Sequence, residues 1–229
     1  MMIENKNVLL LDMNSTFMFG EDRFGDAEDF SQHYAEYCGE LSAEQVNSII
    51  RTVYDYMALR YPDEKYRYCF PSLATAIDQA LPYKLDEKEI TNIIHTFAFH
   101  ELGHIPEEYA TALHQLKQHF TLAAVIDIWS PKSYWLNVFK QAGIFDLFSA
   151  LSFSSDHGVV KPAPEPFEQI LVQLNRQPSE AIVIGDSARR DLGGAQNAKI
   201  DCILVGQQTH SDAYAHFDNI IEFSNMLTA

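Results

Sequence analysis

Positive charge is scarce in this 229-residue sequence: 16 Lys and Arg stand against 32 Asp and Glu, a formal net charge of −16 at neutral pH. An acidic chain repels phosphate backbones and anionic lipid surfaces, and its cations are scattered without a basic patch, so neither a nucleic-acid nor a membrane partner is expected. Cysteine is also rare. Cys38, Cys69 and Cys202 lie far apart with no C-x-x-C pair, which argues against a disulfide framework or a cysteine zinc site and predicts reduced, buried thiols. No apolar run approaches the roughly eighteen residues of a membrane span, and MMIENKNVLLLD is too short an apolar stretch for a signal peptide, so a cytoplasmic location is expected. Internal repeats, low-complexity tracts and Gly/Ser linkers are lacking as well. Core-forming material is plentiful. With 47% apolar and 12% aromatic residues, the chain can bury one domain, or a core plus a smaller insertion, and disorder is excluded.

The first element is the apolar run Val8 to Leu11, which ends on Asp12 and suits a buried parallel strand. From about Asp26 to Gly103 only helical spacing follows: AEDFSQHYAEYCG closed by Gly39, SAEQVNSIIRTVYDYMALRY capped by Ser42 and stopped before Pro62, PSLATAIDQAL starting at Pro71, and DEKEITNIIHTFAFHEL. Ser42 and Gln45 make a capping-box pattern. After Pro106 helix and strand alternate, with strands FTLAAVID, ALSFSS, AIVIGD and CILVG separated by helical segments. Such a succession predicts an α/β fold, a Rossmann-like parallel sheet in a three-layer α/β/α core, with the all-helical block inserted after the first strand. Right-handed crossovers bring the carboxyl ends of all strands to one edge, where open sheets bind ligands.

Charged residues gather at that edge. Asp12 follows VLLL, Asp186 follows IVIG five residues before Asp191, and Lys161 stands in GVVKPAPEPF. Carboxylates on neighbouring strand ends can hold a hard Mg²⁺ ion, and a lysine beside them can neutralise both a nucleophilic carboxylate and a bound phosphoryl group. Alone, each such Asp could simply cap a loop. Together, VLLLDMNST, KPAPEPF and GDSARRD resemble the first, third and fourth motifs of the haloacid dehalogenase superfamily, in order and across essentially the whole chain.

The resemblance implies a hydrolase acting on a small, anionic substrate as a monomer or homodimer. Asp12 would be the nucleophile that forms an aspartyl-phosphate, and Lys161 its electrostatic partner. Mg²⁺ would be held by Asp12, the backbone carbonyl of Asn14, Asp186 and Asp191. Residues 1–19 and 104–229 would form the core and residues 20–103 a mobile helical cap, with FMFGEDRFGD as the flap leading into it. Phosphate-ester hydrolysis is the leading expectation.

Two departures keep alternatives open. Where phosphatases of the superfamily carry a second acid in the first motif, this chain has Asn14, which cannot transfer a proton to the leaving alkoxide. Halide displacement from a 2-haloacid needs no such acid. In the second motif, the usual Ser/Thr-Asn falls on Ile126-Asp127 in FTLAAVIDIWSP, so phosphate binding is left to Ser130 reaching back, or to Asp127, whose charge would oppose it. A binding or regulatory protein on a worn catalytic site is the remaining alternative.

HELGH, from His100 to His104, matches the H-E-x-x-H zinc pattern, but Pro106 ends any helix at once, and Glu107 and Ala110 occupy the places of the glycine and third histidine of its extended form. It is expected to be the return from cap to core. Tyr54, Tyr56, Tyr61, Tyr66 and Tyr68 are expected to pack within the cap rather than contact substrate, Arg23 either to meet a substrate anion at the flap or to pair with its acidic neighbours, and Arg189 and Arg190 to cover the first turn of a helix.

Overall fold

A computed structural model describes residue 3 and residues 5–228. Six strands form one parallel sheet: β1 (Val8–Leu11), β2 (Thr121–Ile126), β3 (Phe148–Phe153), β4 (Ala181–Gly185), β5 (Asp201–Val205) and β6 (Ala215–Phe217), in the order β3-β2-β1-β4-β5-β6. Their apolar runs lack polar alternation because both faces are covered. Leu9, Leu11, Ile182 and Ile184 pack into one hydrophobic cluster, while Val8, Leu10, Ala181 and Val183 pack into another on the opposite face. Together the two clusters make the three-layer Rossmann-like core.

The chain runs outward from β1 through β2 to β3, then returns to pair β4 on the other side of β1. That reversal opens a crevice at the carboxyl end of β1. Asp12, the next residue, is held there by its own amide, which donates to the Ile184 carbonyl at 2.8 Å.

Among the described residues, the block between β1 and β2 contains no strand paired into the sheet. Its longest helix, Ala43–Arg60, starts on the capping box of Ser42 and Gln45. Ser72 and Asp86 cap the helices Leu73–Ala80 and Glu87–Glu101, so the second of the three begins after Ser72 rather than at Pro71. Val46, Ile50, Val53, Met57, Ile77 and Phe97 are buried together, and Val160 and Trp129 from the core side join this cluster. An isolated antiparallel bridge between Phe19 and His104 draws together the two chain segments that lead into and out of the block.

Several expectations are corrected. The helix expected over AEDFSQHYAEYCG shrinks to Ser31–Tyr34 and a 3-10 turn at Ala35–Tyr37, ending on Cys38 with φ at 52°. Gly39 serves a different purpose: a Cβ there would lie 2.0 Å from the Tyr34 ring, which crosses it to reach Glu89. Cys38 and Cys69 are exposed, and only Cys202, on the inner strand β5, is a buried thiol. β6 was not anticipated, since its three residues, none of them buried, carry no apolar run. No helix among the described residues is long and apolar enough to cross a membrane.

Candidate active site

Asp12, Lys161, Asp186 and Asp191 converge at the crevice. Lys161 is 4% exposed, and its Nζ donates to Asp12 Oδ1 and, at 2.7 Å, to Asp191 Oδ1. The other Asp191 oxygen accepts the Ser187 amide at 2.9 Å. Gly185 makes this possible, because a Cβ at that position would come within 2.3 Å of the Asp191 carboxyl carbon. Burial first, and then the charge of Asp191, push the Asp12 carboxyl up to about 7, while Lys161 draws it back down. Asp186 is raised by burial and by Asp191. Burial alone would lower Lys161, but Asp12 and Asp191 hold it protonated.

A cavity of about 290 Å³ opens over Asp12, Asn14, Asp186 and Lys161. On the cap side it is walled by Tyr54, Ala58 and Tyr61, which recur on one face at the end of the long helix. Opposite lie Asp127, which the second motif had offered to the site, and Trp129 and Glu101, which the sequence had not connected with it; Arg190 borders the cavity.

A family model described as haloacid dehalogenase-like hydrolase matches residues 6–199. The chain belongs to this family. It is 29% identical over 173 residues to pyrophosphatase PpaX of Halalkalibacterium halodurans, covering 74% of this chain and 79% of the relative. Over 103 residues it is 31% identical to glyceraldehyde 3-phosphate phosphatase of Pyrococcus furiosus, covering 45% of this chain and 42% of that one. Among solved structures, a HAD phosphatase from Thermococcus onnurineus superposes with a TM-score of 0.64 at 20% identity, covering 97% of both chains. A 2-haloacid dehalogenase from Pseudomonas syringae pv. Tomato DC3000 gives 0.63 at 20% identity, covering 97% of this chain and 98% of that one. Both structures share the fold.

In this HAD-like chain the carboxylates suit a cation. Ligand oxygens of Asp12, Asp186 and Asp191 all lie within 4.8 Å of one another. The Asn14 side-chain oxygen, in the wall of the same cavity, is buried with no hydrogen-bond partner. An all-oxygen donor set with two carboxyls raised by burial and then by a neighbouring carboxylate fits a hard divalent ion such as Mg²⁺.

The end of β2 is built otherwise. Ile126 is buried in the core. Asp127 does reach the cavity, yet its Oδ2 accepts the Tyr61 hydroxyl at 2.9 Å and the Lys161 amide at 3.0 Å, so it acts as an acceptor tying cap to core. Burial pushes its carboxyl up. Ser130 is not brought to the site: it is fully buried, and its hydroxyl accepts the Trp135 indole N–H at 3.0 Å. The loop turns inward because Glu101, 4% exposed, accepts the amides of Trp129 at 2.6 Å and Ser130 at 2.8 Å. Burial raises Glu101 to about 7 despite those bonds.

HELGH therefore contributes its glutamate to the cavity wall. His100 packs edge-on to Phe30 within the cap, and His104 lies at the Phe19 bridge.

Proposed function

We propose that this chain is a Mg²⁺-dependent phosphatase of small phosphate monoesters, working in the cytoplasm through an aspartyl-phosphate on Asp12. The observation that carries the reading is the buried Asp12–Lys161–Asp191 arrangement at the carboxyl end of β1, with Asp186 beside it. The phosphatase names of two relatives support it. Bound at Asp12, Asp186, Asp191 and the Asn14 carbonyl, Mg²⁺ would supply the positive charge that lets an anionic carboxylate approach an anionic phosphoryl group.

In the first step an Asp12 carboxylate oxygen bonds to phosphorus while the ester P–O bond breaks, and the bonding pair leaves with the alkoxide. Lys161 holds Asp12 in line and offsets the charge gathering on it. The alkoxide takes its proton from water, since Asn14 has none to give. Water then attacks phosphorus, the Asp12–phosphorus bond breaks, and inorganic phosphate leaves with Asp12 restored. Without the usual acid, turnover is slower by roughly two to four orders of magnitude than an acid-assisted site would give. We place the cap at residues 20–103, hinged where the Phe19–His104 bridge joins it to the core.

A screen of phosphate monoesters with and without Mg²⁺ tests this, with Asp12→Asn as control. Metal-dependent release of phosphate, lost in the variant, is the expected result. Asn14 also favours a second reading, halide displacement, and metal-independent turnover of 2-haloacids would put it first. No turnover of either class would leave a binding protein on this fold.

A further inference from the structure

The proposed phosphoryl transfer needs donors for the non-bridging oxygens of the phosphate, and the usual supply is spent. Ile126 offers none, Asp127 is itself an acceptor, and Ser130 is turned away onto Trp135. Lys161 gives two of its three ammonium N–H groups to carboxylates, leaving at most one for phosphate. One cation in the cavity wall remains uncommitted. Among the described residues, the Arg190 guanidinium has no hydrogen bond and no carboxylate within the 4.0 Å of an ion pair. Its ring contact is with Tyr61, whose centroid is 5.3 Å away, and the charges of Asp191, Asp12 and Asp127 act on it from beyond hydrogen-bond reach. That ring positions the guanidinium without consuming any of its N–H donors.

The backbone aims Arg190 at the cavity by an unusual turn. Residues Ala188–Leu192 form a single π-helical turn, anchored by Ser187, whose carbonyl accepts the amides of Asp191 at 2.9 Å and Leu192 at 3.2 Å. The Ser187 hydroxyl accepts the Arg190 amide at 3.2 Å. Asp191 is thereby turned inward onto Lys161, while its neighbour Arg190 borders both the Asp12 cavity and an adjoining cavity of about 210 Å³. Single π turns occur frequently at functional sites, where they re-aim a side chain.

We propose that Arg190 binds the phosphoryl group of the substrate, supplying the donors that the end of β2 does not. A guanidinium offers paired N–H groups matched to two phosphate oxygens, which lysine cannot reproduce. The inference rests on the phosphatase reading for its ligand, and calorimetry separates the two. Inorganic phosphate is titrated into the wild-type chain and into Arg190→Gln and Arg190→Lys, in buffer containing MgCl₂. Arg190→Gln should weaken phosphate binding by roughly 10- to 100-fold, the usual range for losing charge-assisted bonds, and Arg190→Lys should weaken it less. Arg189→Gln, which loses only a bond to the Pro62 carbonyl, should bind phosphate as the wild type does.

Phosphate affinity within twofold of wild type in an Arg190→Gln protein of unchanged melting temperature would overturn the inference, as would a wild type that binds no phosphate. Weakened phosphate binding in a chain that hydrolyses no phosphate ester would retain Arg190 as the anion receptor and dismiss the phosphatase reading alone.

Discussion

Carboxylates on the two sides of the Asp12 cavity are put to different uses. At the ends of β1 and β4, Asp12 and Asp191 are bridged by a buried lysine, and Asp186 stands near them, so charge answers charge. Around the loop after β2, Asp127 and Glu101 take their hydrogen bonds from neutral donors, the Tyr61 and Ser130 hydroxyls and three backbone amides, while the Lys161 charge also draws Asp127 down. The first arrangement leaves oxygens able to meet a cation. The second spends its oxygens on fixing a loop and holding the cap, which is why no side chain there presents a donor to substrate.

Removing Lys161 attacks the ionic side directly and should have the largest effect. Lys161→Met keeps most of the side-chain volume but leaves Asp12 and Asp191 buried without their counter-charge. A loss of about 3–5 kcal/mol in urea denaturation at pH 7 is expected, the usual cost of breaking a buried pair from one side. A loss below about 1 kcal/mol would mean that the two carboxylates are neutralised by other means.

Glu101 tests the opposite side through pH. Its carboxyl rises from an ordinary 4.5 to about 7 on folding, so the folded chain favours the protonated form. That contribution is complete below pH 4.5 and disappears as pH climbs through 7, a difference of about 3 kcal/mol. Stability measured from pH 4.5 to 8 should therefore fall more steeply in wild type than in Glu101→Gln. Parallel profiles would show that the two amide bonds keep Glu101 ionised throughout.

Asn14→Asp restores an acid to the ionic side. If the missing proton donor limits the proposed phosphatase, this variant should raise phosphate-ester turnover by roughly 100-fold or more. Unchanged turnover in a folded protein would point to a reaction whose leaving group needs no proton.

The contrast between the two sides was only half legible in the sequence. Asp12, Lys161, Asp186 and Asp191 could be read because each follows a strand or opens or closes a short motif, so its position on the sheet edge follows from chain order. Ser130 failed as a guess because its fate depends on Glu101, a residue 29 positions away on another element. Glu101 itself was masked by the zinc-like pattern around it, although a glutamate on the last turn of an otherwise apolar helix face was a signal in its own right. Arg190 could not be told from Arg189 without the π turn that separates their directions. Tyr61 could have been singled out with Tyr54 and Ala58 by helical spacing, but spacing alone does not say which helix face meets the core.

Tyr61 also gives the finest test, since it touches both sides at once: its hydroxyl donates to Asp127 and its ring lies beside Arg190. Tyr61→Phe removes the first contact and keeps the second. The deleted bond goes to a buried carboxyl, so a stability loss of about 1–2 kcal/mol is expected by urea denaturation. Phosphate affinity should change less than twofold, because the ring that positions Arg190 is intact. Tyr61→Leu removes both contacts, and should add a loss of phosphate affinity to the loss of stability. If Phe and Leu weaken phosphate binding equally, the hydroxyl rather than the ring positions Arg190, and the neutral side of the cavity would be contributing to anion binding after all.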